Sequence, residues 1–129
     1  MIKYPVGPET SKSPLPFSPA TQVGNLLFVS GQASTDENGN IVQDTFEAEF
    51  RRTMEQLRRI LRAAGSDLNR VCQVRAYVKN HADLPLYNQL YREYFTPPYP
   101  ARTTLTGCLG KVLFEIDCIA VVDGDKPQG

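Results

Sequence analysis

The sequence contains no tryptophan, one histidine and three cysteines among its 129 residues. The single histidine, His81, argues against a histidine-rich metal site and against a Ser-His triad within one chain. The cysteines are odd in number and lack a CxxC spacing, which argues against a disulfide framework and a zinc site. We expect Cys72, Cys108 and Cys118 to be reduced and mostly buried. Any chemistry must use arginine, glutamate, backbone groups or water.

Net charge is also lacking, because 14 basic and 14 acidic side chains cancel. No long-range field would draw the chain towards nucleic acid or an acidic membrane. The longest apolar runs, such as residues 26–29 and 118–122, are far shorter than the ~20 residues that cross a bilayer. The N-terminus has no basic start followed by an apolar run, as a signal peptide would. We expect a soluble, cytoplasmic protein whose partners include neither nucleic acid nor membrane.

The length of the chain suits one domain with a modest core, because a chain of this size buries roughly two-thirds of its unfolded surface. No internal repeat or low-complexity segment divides it. The start is rich in proline and residues 123–129 are polar, so both ends are predicted to lie on the surface. We treat residues 1–129 as a single domain.

The first half of the chain predicts a hairpin and then a helix. An apolar run at residues 25–30 and the turn residues Asn38-Gly39 predict a hairpin over about residues 26–43. Asp44 and Glu47 have the spacing of a capping box, and Gly65 closes the helix that follows. Its apolar residues at helical spacing are Phe46, Phe50, Met54, Leu57, Leu61 and Ala64. The arginines lie mainly off this stripe, which favours a solvated face over an RNA-binding one.

The second half predicts a strand, a helix and two more strands. Residues 71–79 alternate, with Cys72, Val74, Ala76 and Val78 on one face. A helix over about residues 83–95 places Leu84, Tyr87, Leu90, Tyr91 and Tyr94 along one side, which is more typical of packing than of a stacking platform. Prolines at 97, 98 and 100 end that helix, and strands are predicted near residues 103–108 and 113–122.

This element order predicts an α+β fold in which two helices pack on one face of a mixed sheet. The last strand has apolar residues on both faces, including Ile116, Ile119 and Val121. Two helices can cover only one of these faces, so the other needs cover as well. Another copy of the chain is the simplest source of that cover.

Two charged residues stand where apolar strands are predicted. Arg102, in YPARTTL, lies at or just before the start of a strand, and Glu115 lies inside the last strand. A buried carboxylate needs a partner, so one interpretation is an Arg102–Glu115 ion pair across a hairpin. In the other interpretation both side chains face a ligand, the arginine fork binding a carboxylate and the glutamate taking a proton from water. Their spacing does not choose between these interpretations.

Seven segments occur in order along about residues 15–122: VGNLLFVSGQ, NGNI, LRAAGSDLNRV, VRAYVKN, YNQLYREYF, PARTTL and FEIDCIAVV. In this ordered combination the sequence resembles the Rid family, the RidA-like reactive-intermediate (enamine/imine) deaminases once described as translation inhibitors or L-PSP endoribonucleases. The resemblance implies a chorismate-mutase-like α+β fold, a homotrimer with sites between subunits, and no metal or organic cofactor. It also implies a hydrolase acting on C=N bonds, which converts 2-aminoacrylate or 2-iminobutanoate/2-iminopropanoate to a 2-keto acid and ammonia.

The resemblance also implies roles for individual residues. Arg102 would clamp the substrate carboxylate, and Glu115 would position or activate the attacking water. Gly31 would offer backbone at the pocket wall, Asn88 would line the site, and Thr104 would contribute main chain beside the arginine.

The sequence departs from the common family pattern in three places. Phe17 stands where many members have tyrosine, so a hydroxyl at the pocket entrance is absent. Thr104 replaces a frequent cysteine, and the connection over residues 106–112 is shorter and lacks its usual Leu-Pro.

Two other functions stay open at this point. A non-catalytic module that binds small carboxylates would use Arg102 equally well. RNA cleavage is suggested only by the older family description, and the zero net charge disfavours it.

Overall fold

Six strands and two α-helices form within residues 1–122, the part of the chain that the structure, a computed structural model, describes. The strands are β1 (Ile2–Lys3), β2 (Ala20–Val23), β3 (Leu26–Ala33), β4 (Val71–Val78), β5 (Ala101–Thr106) and β6 (Phe114–Val121). The helices are α1 (Phe46–Ala63) and α2 (Leu84–Tyr94). The predicted polar tail, residues 123–129, lies outside the described residues.

All six strands belong to one sheet, in the order β1-β2-β3-β6-β4-β5. Every pair is antiparallel except β4 with β5, which run parallel. Parallel neighbours need a crossover connection, and α2 supplies it between these two strands. The sheet is therefore mixed, and the α+β class predicted from the sequence is confirmed.

Both helices cover the same face of the sheet. The ring centroid of Phe114 in β6 lies 4.6 Å from that of Phe50 in α1 and 5.8 Å from that of Tyr87 in α2. Alternate residues of β6 are buried from Phe114 onwards, whereas Glu115 and Asp117 between them are only half-buried. Within the described chain the sheet thus has a covered face, under the helices, and an open face opposite.

Helix α1 begins with a different cap from the predicted one. The N-cap is Thr45, whose hydroxyl oxygen accepts a hydrogen bond from the Ala48 N–H at 3.2 Å. Glu47 forms an ion pair along its own helix instead, so the predicted box of Asp44 and Glu47 is wrong. The apolar stripe is buried as predicted, and Gly65 follows the last turn with a φ of +85°.

The hairpin predicted over residues 26–43 is wrong in its second strand. Strand β3 pairs instead with β2, across a turn at Gly24 with a φ of +60°, and with β6 on its other side. Because both edges of β3 are occupied, the chain that follows it forms only a single bridge, from Thr35 to Ile41. The predicted turn before that bridge is present, with a φ of +85° at Gly39.

Strand β4 forms where predicted, but one residue faces the other way. The register against β6 shifts between Val71 and Gln73, which buries Val71 and leaves Cys72 exposed. An extra residue of this kind is typical of a β-bulge. Cys108 is exposed as well, so the expectation of mostly buried thiols is wrong for two of the three cysteines.

A buried carboxylate fixes the start of α1 to the chain just before β6. Glu49 is only 1% exposed. One of its carboxylate oxygens accepts the Asp44 N–H at 3.0 Å, and the other accepts the Leu113 N–H at 2.9 Å. Both N–H groups depend on this side chain, because backbone donors cut off from water need an acceptor. Glu49 therefore holds the segment that leads into Glu115.

Replacing Glu49 should destabilise the fold. We expect Glu49→Ala to lower the free energy of unfolding by about 3 kcal/mol, because two buried donors lose their acceptor, and Glu49→Gln to cost about half as much, because one oxygen remains. Urea unfolding at one fixed protein concentration measures both. Glu55→Ala, at an exposed ion pair of the same helix, is the control and should change the free energy by less than about 0.5 kcal/mol. An equal loss for Glu49→Ala and Glu55→Ala would contradict the role of Glu49.

Candidate functional site

Arg102 is held over two aromatic rings. It is the second residue of the edge strand β5 and pairs with Val74 of β4, which is fully buried. Paired residues share a face, so Arg102 lies on the covered face. Its guanidinium carbon is 5.1 Å from the ring centroid of Tyr87 and 4.7 Å from that of Tyr91, both in α2. Aromatic faces attract a cation without neutralising its charge.

Thr104 follows two residues later on the same face of β5. Its hydroxyl lies 3.1 Å from the hydroxyl of Tyr87, and either group can donate. Burial raises the pKa of Tyr87, while this hydrogen bond and the nearby Arg102 charge act to lower it. The Thr104 side chain therefore fixes the ring that carries the arginine. The main chain of β5 pairs only with β4, so its other edge is open within the described residues.

A cavity opens beside the arginine. Its volume is about 250 Å³, and its walls are formed by Asn88, Tyr91, Arg92, Tyr99, Pro100 and Arg102. The cavity thus combines two tyrosine phenols and a proline ring with an amide and two cations, a composition typical of small-molecule sites. We refer to it as the Arg102 cavity. Two of the predicted site residues, Asn88 and Arg102, meet in it.

Glu115 lies on the opposite face of the sheet. It pairs with Tyr77 of β4 on one side and with Ala33 of β3 on the other, and its side chain is half-buried. Partial burial raises the pKa of Glu115, and the charge of Asp117 raises it further. Asp117 is itself held at 2.9 Å by the Nε of Arg75 and at 3.1 Å by the hydroxyl of Tyr77. A carboxylate with a raised pKa is suited to accept a proton.

Gly31 makes room for the carboxylate of Glu115. A Cβ atom at Gly31 would lie 2.5 Å from Oε2 of that glutamate, so any larger residue would displace it. The register between β3 and β6 shifts from Val29 to Gln32, around this glycine. The predicted pocket-wall glycine and the predicted water-binding glutamate are therefore neighbours.

Phe17, in the segment that precedes β2, has an exposed ring. The hydroxyl of Ser30, next to Gly31, donates a 2.6 Å hydrogen bond to the carbonyl of Ser18. This contact ties the segment that carries Phe17 to the strand that carries Gly31.

The predicted site residues thus form two separate groups in one chain. Arg102, Thr104 and Asn88 lie together on the covered face, whereas Gly31 and Glu115 lie together on the open face. Strands β5 and β6 are separated by β4, so the predicted hairpin between them is wrong.

The alternative of an intrachain ion pair is wrong for the same reason. Among residues 1–122, neither Arg102 nor Glu115 forms an ion pair. Within the described part of the chain, both charged groups are therefore without an ionic partner.

Sequence reasoning missed three residues of this region. Arg92 lines the Arg102 cavity one helical turn after Asn88, a spacing that places both on one side of a helix. Tyr99 lies among the prolines that follow α2, where no periodic pattern singles it out. Asp117 alternates with Glu115 along β6, and this period of two could have placed both carboxylates on one face.

Comparisons with known proteins place the chain among relatives of similar length. The model of the family described as Endoribonuclease L-PSP matches residues 10–122. A 3-aminoacrylate deaminase, RutC, from Acinetobacter baylyi is 36% identical over 95% of this chain and 100% of its own length. A 2-iminobutanoate/2-iminopropanoate deaminase from Dermatophagoides farinae is 30% identical over 81% of this chain and 80% of its own.

The fold has solved counterparts. A crystal structure from Thermotoga maritima is 34% identical and superposes with a TM-score of 0.84, covering 95% of this chain and 98% of the other. As to membranes, neither helix found in residues 1–122 has the length and apolar character to span one.

The raised pKa of Glu115 gives a titration test. Asp117→Asn removes the neighbouring negative charge, so the pKa of Glu115 should fall relative to its wild-type value, while partial burial, the larger cause of the raised pKa, remains. A pH titration of the Glu115 side-chain carboxyl carbon by NMR measures both values. Glu37→Gln, in an exposed turn, should leave the pKa of Glu115 unchanged. A pKa that rises or stays constant in Asp117→Asn would contradict the coupling.

Proposed function

The chain belongs to the endoribonuclease L-PSP family, the Rid family, and we propose that it hydrolyses reactive imines of small 2-imino acids to 2-keto acids and ammonia. The substrates proposed are of the 2-aminoacrylate and 2-iminopropanoate type. The relatives named as deaminases support this reaction class. The observation that carries the proposal is the guanidinium of Arg102, which lines a cavity and has no carboxylate partner among residues 1–122.

The proposed active unit is a homotrimer of chorismate-mutase-like chains, with each site between two copies. Large apolar side chains lie exposed on the open face, among them Phe28 at 39% and Leu105 at 50%. Covering them with a second copy would remove apolar surface from water. It would also bring Glu115 of one copy to the Arg102 cavity of the next, which a single chain cannot do. The cytoplasmic location expected from the sequence belongs to this proposal, which includes no nucleic acid or membrane partner.

In the proposed mechanism Arg102 binds the substrate carboxylate. Its planar fork forms two parallel hydrogen bonds with a carboxylate, which fixes both the position and the orientation of the imine carbon. Asn88 lines the same cavity, and the main chain of Thr104 contacts the bound acid. Phe17 shapes the entrance without a hydroxyl.

Glu115 of the neighbouring copy holds the attacking water. As the water oxygen bonds to the carbon of the protonated imine, one water proton passes to the carboxylate and the C=N electron pair moves to nitrogen, which leaves an amine beside a hydroxyl group. Glu115 then gives that proton to the amine, the C–N bond breaks with its electron pair on nitrogen, and the hydroxyl group loses its proton to Glu115 as the 2-keto acid and ammonia form. Glu115 releases this last proton to solvent. A positioned acid-base group contributes about 10² to 10⁴ in rate.

Two substitutions test the proposal, alone and together. Arg102→Ala and Glu115→Gln should each lower the hydrolysis of enzymatically generated 2-iminopropanoate by about 10² or more, measured as ammonia release. When the two variants are coexpressed and assemble at random, about three-quarters of the trimers are mixed, and each mixed trimer has one intact site out of three. Coexpression should therefore restore about a quarter of wild-type activity. A site within one chain would give no recovery.

Substitutions at two exposed residues of α1 are the controls for this test. Arg62→Ala and Glu55→Gln, exposed on α1, should keep full activity. Glu115→Gln should still bind pyruvate, measured by calorimetry. If Arg102→Ala hydrolysed 2-iminopropanoate at the wild-type rate, the proposed binding of the substrate carboxylate by Arg102 would be refuted. A wild-type protein that binds pyruvate but releases no ammonia would instead be a non-catalytic carboxylate-binding module.

A methyl group at position 31 tests the place of Glu115. Gly31→Ala should lower kcat/KM by about tenfold to a hundredfold, because the added Cβ pushes the carboxylate from its position. Gly110→Ala is the matched control, since nothing lies within 4 Å of its Cβ position, and should keep wild-type activity. Urea unfolding checks that both variants are folded. Equal activity in the two alanine variants would show that this position of Glu115 is not needed.

A further inference from the structure

Arg92 is a second cation in the Arg102 cavity. It lies in the last turn of α2 and is exposed. Its Nη1 donates a 3.3 Å hydrogen bond to the carbonyl of Asn88, one turn earlier in the same helix. No carboxylate among residues 1–122 forms an ion pair with it. Its Nε and Nη2 groups remain available to a ligand.

Several other arginines are paired with carboxylates. Among residues 1–122, a carboxylate lies within 4 Å of Arg51, Arg52, Arg58, Arg62 and Arg75, whereas Arg59 bonds the side-chain oxygen of Gln56. Even Glu93, the residue next to Arg92, bonds Arg51 at 3.0 Å. The two arginines that line the Arg102 cavity therefore form a positive site whose lining residues include no carboxylate.

The cavity has room for more than a three-carbon acid. Its volume of about 250 Å³ equals the liquid volume of about eight water molecules. Two guanidinium groups beside one cavity repel each other, and an anionic group next to each of them removes that repulsion. A ligand with two carboxylates, one at each end, matches this arrangement better than a ligand with one.

We propose that Arg92 binds a second carboxylate, which makes 2-imino dicarboxylates of four or five carbons preferred substrates of this site. The inference rests on the proposed function, since Arg102 holds the carboxylate next to the imine carbon. Arg92 then takes the distal carboxylate through its free N–H groups. The hydrolysis itself is unchanged: water adds to the imine carbon and ammonia leaves.

Competing substrates test the proposal. The preference is the kcat/KM for 2-iminoglutarate, generated from glutamate by an oxidase, divided by that for 2-iminopropanoate, generated from alanine. We expect this ratio to exceed one in the wild type and to fall about fivefold in Arg92→Gln, as for loss of a partly exposed ion pair. Arg92→Lys, which keeps the charge but not the fork, should lie between them. Arg59→Gln, an exposed arginine outside the cavity, should keep the wild-type ratio.

Binding of the products separates this inference from the proposed function. Calorimetry should give 2-oxoglutarate a lower Kd than pyruvate in the wild type. The ratio of the pyruvate Kd to the 2-oxoglutarate Kd should fall about fivefold in Arg92→Gln. That result without any ammonia release would refute the proposed hydrolysis and keep Arg92 as a second anion-binding residue. In the opposite outcome, hydrolysis of 2-iminopropanoate depends on Arg102, but Arg92→Gln changes neither the kcat/KM ratio nor the Kd ratio. That result would refute the role of Arg92 and leave the proposed hydrolysis standing. A wild-type protein with no preference for the dicarboxylates would also refute it.

Discussion

The stacking of Arg102 on Tyr87 and Tyr91 is the interaction on which the proposed site depends. A cation over an aromatic ring gains about 0.5 to 2 kcal/mol, depending on how far it is removed from water. Unlike a salt bridge, this contact leaves the charge and the N–H donors available. The rings are in turn fixed by the core, since Tyr87 contacts Phe50 and Phe114. Packing of α2 on the sheet therefore positions the guanidinium to which the proposal assigns anion binding, and the same rings that stabilise the fold hold that group in place.

The alternation of side chains along β4 decides how the site has to be completed. Arg102 pairs with Val74, and Glu115 pairs with Tyr77. These two β4 residues are an odd number of positions apart, so they lie on opposite faces, and so do their partners. No adjustment of rotamers can bring the two charged groups together through a sheet. A mechanism that needs both groups therefore needs two copies of the chain, and the exposed apolar residues of the open face supply a physical reason for such copies to associate.

Local patterns predicted the helices and most strands, because an element that buries one face has apolar residues at a regular spacing in the sequence. They also placed Arg102 at or just before the start of a strand and Glu115 inside one, and in the structure Arg102 is the second residue of β5. They failed where a choice between distant partners decides the result. Strands adjacent in sequence usually pair, yet β6 inserts between β3 and β4 and leaves β5 at the edge. The exposure of Cys72 follows from a register shift, and the role of Glu49 follows from contacts with Asp44 and Leu113, of which Leu113 lies 64 residues away.

Charge is segregated between the two faces of the sheet in a way that zero net charge conceals. The Arg102 cavity has Arg92 and Arg102 in its wall, whereas the open face carries Glu115 and Asp117, the latter shared with Arg75. In the proposed assembly the Arg102 cavity of one copy meets the open face of the next. The positive charges of Arg92 and Arg102 would then lower the pKa of Glu115 in the adjacent copy, while burial raises it. In this proposal, a substrate carboxylate bound to Arg102 would neutralise the charge of that cation and weaken its effect on Glu115. Substrate binding would thereby raise the pKa of Glu115 and make it a stronger base at the moment when water must give up a proton.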